Sequence, residues 1–251
     1  MPAVLTSVAG RVGRVELNRP QVLNAADVDW VRDLDGALER VAADGRVRVV
    51  VLTGRGRAFC SGIDLTALGA GAIRRRWFED WERALSRCEE MPKPVLCGIH
   101  GYCIGGGLQL ALACDLRICT RDARLGLTAV KENLIPGLGV WRLPRHVGLG
   151  RAKRLILTGE LVDGAEALGL GLVDYLVEPD GLEAKLAELA DRFSHVSPTS
   201  FRHSKRLTNR AFDLDQRAAL GEYLDAQEEC LGSPEHEEAM AAWRERRDPN
   251  F

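Results

Sequence analysis

Two glycine-bearing stretches carry the chemistry this sequence can support. Ala58-Phe59-Cys60-Ser61-Gly62-Ile63-Asp64-Leu65 follows an apolar β-branched run and a small flexible Gly54-Arg55-Gly56-Arg57. Gly101-Tyr102-Cys103-Ile104-Gly105-Gly106-Gly107-Leu108-Gln109-Leu110 follows a second apolar run and opens an apolar helix. Small residues let a ligand approach the backbone, and the first N–H groups of a helix have no intrahelical acceptor. Asp64 is placed to cap a helix and leave N–H groups near Ile63 pointing outward, and the three glycines at 105–107 make a second donor cluster. Two such turns in one sheet could each aim a donor at a single oxygen, which stabilises an oxyanion or enolate. Ordinary strand-to-helix turns would carry the same residues. A phosphate cradle fits poorly, because the G-x-G-x-x-G order and a G-K-[ST] are both missing.

The elements that must position these turns read as α/β. Residues 3–8 and 11–17 form two short strands around Gly10, and Asp27 caps a helix with Val28, Val31, Leu34, Leu38 and Val41 on one face. Residues 46–53 (RVRVVVLT) and 94–99 (PVLCGI) are buried strands feeding the two glycine loops, and 115–120 and 172–177 supply two more. Helical patterns at 105–113, 150–158 and 163–169 alternate with them. From about 180 the pattern is only helical: Leu182, Leu186, Leu189 and Phe193, then 199–210, 214–231 and 235–246. No internal repeat or linker divides the chain, so 1–251 is expected to be a single domain, with an α/β core over 1–180 and a helical region over 181–251.

Composition excludes several classes. The chain has 251 residues, 46% hydrophobic and 28% charged, as folded proteins do. Its 34 basic and 36 acidic residues leave a formal charge of −2, so Arg74-Arg75-Arg76 is expected to be a solvated helix face and not a nucleic-acid site. The seven cysteines are odd in number and contain no CxxC pair, so neither a disulfide framework nor a metal site is expected, and a reducing cytoplasm fits. No run is long enough for a membrane span, and Arg11 and Arg14 interrupt any signal-like stretch.

Along nearly its whole length the chain resembles the crotonase, or enoyl-CoA hydratase/isomerase, superfamily. The resemblance rests on Asn18-Arg19-Pro20 with Asn24-Ala25, on Val51-Leu52-Thr53-Gly54 through Leu65, and on His100-Gly101-Tyr102 through Gly107. Cys114-Asp115-Leu116-Arg117, Leu134-Ile135-Pro136-Gly137, Leu157-Thr158-Gly159 and Ala165 through Leu170 extend it. It implies a spiral of ββα units with a C-terminal helical trimerisation region, assembled as a homotrimer or dimer of trimers. It implies a coenzyme A thioester as substrate, with no permanently bound cofactor, whose carbonyl is held by the N–H groups of Ile63 and Gly106. Acyl-CoA contacts are expected at Leu23, Ala58, Ser61, Gly62, Asp64, Leu65, Gly105, Gln109, Thr128 and Ala129; an acyl carrier protein thioester is the alternative carrier.

The sequence departs from the hydratases where they activate water. Their two glutamates match Gln109 and Ala129 here, and neither a carboxamide nor a methyl can act as general acid or base. Ordinary hydration is therefore in doubt, and Glu132, three residues after Ala129, is the candidate acid–base group. Binding of acyl-CoA with little turnover and decarboxylation of an acyl thioester are the alternatives. No lysine lies in 65–90, where decarboxylases of this kind resemble one another in having one. His236 and His100 are expected to be a helix-start residue and a loop-packing residue, and Trp77, Phe78 and Trp81 to form the apolar side of a helix.

Overall fold

The structure is a computed structural model and describes residues 2–251. Strands β1 (Val4–Ala9) and β2 (Val12–Leu17) form an antiparallel hairpin, closed at Gly10, whose φ of +56° suits a residue without Cβ. Helix α1 (Val28–Ala43) starts where Asp27 accepts the Trp30 N–H, and it buries Trp30, Val31, Leu34, Ala37, Leu38 and Val41 on one stripe. Strand β3 (Val49–Gly54) lies parallel to β2. It starts three residues later than its β-branched run suggests, because the Asp44 carboxylate accepts the Arg46 N–H and turns the chain there.

Helices α2 (Leu65–Gly69) and α3 (Arg75–Glu90) lead to β4 (Val95–Ile99), parallel to β3. The short β5 (Tyr102–Ile104) precedes α4 (Gly106–Leu112), and β6 (Leu116–Thr120) returns beside β4. Then follow β7 (Arg124–Gly126), α5 (Gly139–Val147), α6 (Leu149–Thr158), β8 (Val162–Asp163), α7 (Gly164–Leu170) and β9 (Tyr175–Val177). Helices α8 (Leu182–Ser194), α9 (Pro198–Asn209), α10 (Gln216–Leu231) and α11 (Pro234–Glu245) complete the chain. The strands make a six-stranded sheet ordered β1-β2-β3-β4-β6-β9 and a second, three-stranded sheet ordered β5-β7-β8.

The larger sheet is covered on both faces, which is why β3 reads as a continuous apolar run. Val50 and Leu52 face the main core with α1 and α3, whereas Val49 and Val51 join Leu96 and Ile118 under Leu182, Leu186, Leu189 and Ala190 of α8. The first helix of the C-terminal region thus belongs to the packing of the sheet. Strand β9 is shorter than its apolar stretch, since Leu172 and Val173 are spent packing at the end of α7, where Leu172 N donates to Ala167 O. Helix α5 and the three-stranded sheet have no clear sequence signature: α5 carries an internal Pro144, and strands of two or three residues show no periodicity.

Candidate active site

The two glycine turns meet. Cys60 and Cys103 pair as a parallel bridge, with Cys60 N donating to Tyr102 O and Ile104 N to Cys60 O. Gly62 follows with φ +99°, packed so closely that a Cβ there would lie 2.9 Å from Ile104 O and 3.2 Å from the Gly106 nitrogen. Gly105, with φ +54°, donates its N–H to Gly126 O, and α4 begins at Gly106. The adjoining N–H groups of Ile63 and Gly106 take no backbone acceptor among the described residues. The two glycine loops thus pack against each other at Gly62 and Gly106.

Beneath the turn, Leu23 and Asn24 both adopt left-handed φ, 54° and 58°, a costly conformation for a leucine. The pair is held by what it binds. Leu23 O accepts the Ser61 N–H, and the fully buried Asn24 donates from Nδ2 to the carbonyls of Arg55, Ala58 and Phe59 at 2.9–3.0 Å. Its Oδ1 accepts the Arg19 N–H at 2.8 Å. Asp64 caps α2 by accepting the N–H groups of Thr66 and Ala67, and Arg19 pairs with it at 3.2 Å. These residues build the loop from behind.

Above the two donors lies a cleft of about 640 Å³, its solvent mouth included. Ser61, Gly62, Ile63 and Leu65 line it from the first turn, Gly105, Gly106 and Gln109 from the second, and Thr128, Ala129 and Glu132 from a 3-10 turn. Side chains three residues apart eclipse on a 3-10 turn, which brings Glu132 to the same wall as Ala129. Leu23, Ala58 and Asp64, expected to contact the substrate, do not line this cleft; Ala58 is fully buried behind it.

Trp77, Phe78 and Trp81 of α3 supply the apolar wall. Trp77 and Trp81 stack with centroids 5.5 Å apart, and Trp81 stacks again on Trp30 of α1 at 5.6 Å. The Trp81 ring comes so close to Gly106 that a Cβ there would lie 3.2 Å from it. The outer wall is tied down by Arg142 of α5, 2% exposed, which binds Glu82 at 2.7 Å and Glu89 at 2.8 Å, both on α3. The Glu82 carboxylate also accepts the Leu138 N–H at 3.0 Å. Glu82 and Arg142 escape sequence reasoning because they are some sixty positions apart along the chain.

Several residues have no chemical role in this cleft. Burial pushes the Cys60 thiol up to about 12 and raises that of Cys103, so neither offers a thiolate. His100 contacts Gly56 O at 3.0 Å, beside the loop as expected. His236 N donates to Ser233 Oγ at the start of α11, and Arg75 and Arg76 pair with Glu79 and Asp80 along α3. Among the described residues no cluster of three or more His, Cys, Asp or Glu could hold a metal, and no helix is long and apolar enough to cross a membrane.

A mostly parallel sheet with two facing glycine turns beside an apolar cleft fits the crotonase fold, and solved structures of that fold match it. The chain superposes on a Bacillus anthracis enoyl-CoA hydratase crystal structure with TM-score 0.93 and 32% identity, covering 99% of this chain and 98% of that one. A Mycobacterium smegmatis enoyl-CoA hydratase gives TM-score 0.95 and 30% identity, with 100% and 99% covered. In sequence it is 34% identical to the short-chain-enoyl-CoA hydratase of Clostridium acetobutylicum, with 97% of this chain and 95% of that one covered. It is 35% identical to the (E)-benzylidenesuccinyl-CoA hydratase of Thauera aromatica, covering 100% and 99%. Residues 8–251 match the enoyl-CoA hydratase/isomerase family model, and the chain belongs to that family.

Proposed function

We propose that this protein binds an acyl-CoA thioester with its carbonyl oxygen between the N–H groups of Ile63 and Gly106, and stabilises the enolate formed from it. The observation that supports this reading is the close approach of Gly62 to Gly106, together with the N–H groups of Ile63 and Gly106 that take no backbone acceptor and belong to residues lining an apolar cleft. Donors preorganised in this way are each worth about 3–4 kcal/mol when negative charge develops on the oxygen. Glu132 carries the proton to or from the adjacent carbon, being the one charged side chain that lines the cleft. No permanently bound cofactor takes part, and coenzyme A enters as substrate.

Hydration is a minor activity in this reading. Gln109 is buried, Ala129 ends in a methyl, and losing each positioned acid–base group costs about 10²–10⁴ in rate. A cleft without a Lys, Arg or His in its lining also speaks against holding a carboxylated acyl group for decarboxylation. Exchange of the α-protons of butyryl-CoA in deuterated buffer tests the reading. The protein is expected to catalyse exchange, Glu132→Gln to slow it at least about 100-fold, and Gln109→Glu with Ala129→Glu to raise crotonyl-CoA hydration at least about 100-fold. Binding without exchange would leave an acyl-CoA-binding homologue, and rapid wild-type hydration untouched by Glu132→Gln would sink the assignment of Glu132. Substituting an acyl carrier protein thioester in the same assay distinguishes the carrier.

A further inference from the structure

Val47 and Arg48 lead into β3, Lys93 and Pro94 lead into β4, and all four line a second cavity of about 810 Å³, its open mouth included. The glycine turns follow the other ends of these two parallel strands, so the cavity lies a strand's length, about 20 Å, from the cleft. Phe193 at the end of α8 and Phe201 on α9 also line it, edge to face with centroids 6.2 Å apart. Its charge is unbalanced. Three cations, Arg48, Lys93 and Arg202, face one acid, Glu235. Arg202 is paired with Glu229, but among the described residues Arg48 and Lys93 pair with no carboxylate. Arg48 Nη2 donates to Val196 O at 3.3 Å, and Lys93 Nζ donates to Val41 O at 3.0 Å and Asp44 O at 2.7 Å. The acids in reach are engaged elsewhere: Glu235 accepts from Thr199 Oγ1 at 3.1 Å, and the Asp44 carboxylate pairs with Arg46 at 2.7 Å. Burial lowers Arg48 from its ordinary range and Arg11 lowers it further, against the pull of Glu235. Burial lowers Lys93 as well, where Asp44 opposes the shift and Arg48 adds to it. Two half-buried cations thus crowd one another with too little negative charge between them.

We propose that this cavity is a second ligand site, for a small carboxylate with an aryl or branched alkyl body: Arg48 and Lys93 hold the carboxylate, and Phe193 and Phe201 cover the apolar part. A bare anion such as phosphate would leave the phenylalanine wall uncovered, and an uncharged ligand would leave the two cations unpaired. A carboxylate with an apolar body satisfies both. The inference stands apart from the thioester reading, since no residue of this cavity lines the cleft.

Calorimetric titration of the full chain with 4-phenylbutyrate tests this. Two further probes run beside it: 4-phenylbutanol keeps the body without the charge, and inorganic phosphate keeps charge without the body. 4-Phenylbutyrate is expected to bind once per chain and at least about tenfold tighter than either. Arg48→Gln and Lys93→Gln should each weaken it at least about tenfold. Glu235→Gln removes the one acid of the lining and should tighten it at least about twofold, a gain that a damaged fold cannot produce. Glu132→Gln, in the cleft, should leave it unchanged. Phosphate binding as tightly as 4-phenylbutyrate would mark an adventitious ion only, and equal binding of the alcohol would mark a pocket indifferent to charge; either result overturns the inference. Binding that responds to Glu132→Gln and not to Arg48→Gln would belong to the cleft, and overturns it too. So does the absence of binding at millimolar 4-phenylbutyrate.

Discussion

Gly62 shows how narrowly the pair of donors is built. Its φ of +99° is one that side chains rarely adopt, and a Cβ there would press on Ile104 O at 2.9 Å and the Gly106 nitrogen at 3.2 Å. An alanine must therefore move the Gly106 N–H that it touches. Gly62→Ala is expected to slow α-proton exchange of butyryl-CoA by about 10²-fold, the loss that accompanies one oxyanion donor, and to lower stability by about 1–3 kcal/mol. Gly10→Ala is the control: its φ of +56° is also strained, but a Cβ there meets nothing within 4 Å. It should cost stability, measured by urea unfolding, and leave exchange unchanged. The glycine turns themselves were legible in the sequence as strand-to-helix turns, and it was their occurrence as a pair that pointed to a shared site. What they close upon was not, since the Cys60–Cys103 bridge joins segments more than forty positions apart.

Elements were legible to the extent that burial imposes a period on them. Helix α1, with its Asp27 cap and single apolar stripe, could be read directly, and so could the four helices from Leu182 onward. Ties between elements could not be read, and Lys205 of α9 is the plainest case. Its Nζ is buried, donating to Cys88 O at 2.8 Å at the end of α3 and pairing with Asp115 Oδ2 at 2.8 Å at the start of β6. Asp115 also accepts the Val95 N–H, so one ion pair pins α9 to two strands. Burial raises the Asp115 carboxyl above its ordinary range while Lys205 opposes that shift. Lys205→Met removes the opposing charge, and at pH 7 it is expected to cost about 3 kcal/mol in urea unfolding. The sign with pH follows. With a folded-state pKa above the unfolded one, the protonated carboxyl favours the fold, so the deficit should shrink as pH falls toward the unfolded value of about 4. A deficit independent of pH would assign the loss to packing alone.

At the scale of the molecule, one helix lies largely outside the core, joined to α9 by ion pairs such as Arg206–Glu222 and His203–Glu229. Of the sixteen residues of α10 only Ala226 is buried, while Leu220, Leu224 and Leu231 stand 54% exposed at helical spacings of four and seven. Phe212 before it and Trp243 on α11 are more than 70% exposed. An isolated helix of this length is marginal in water, and most helical stability in proteins comes from burying an apolar face. The stripe on α10 therefore needs a cover, and we propose that further copies of this chain supply it, as in the trimer that the family resemblance implies. The cover and the cleft are separable. Leu220→Lys with Leu224→Lys changes no residue of the cleft, and introduces like charges where neighbouring copies would meet. Light scattering should show a trimer, or a hexamer built from two, for the parent and a monomer for the variant, with far-UV helicity falling by an amount that corresponds to α10. A parent that is monomeric at micromolar concentration with α10 fully helical would overturn the argument, because the helix would then be stable with its apolar stripe in water.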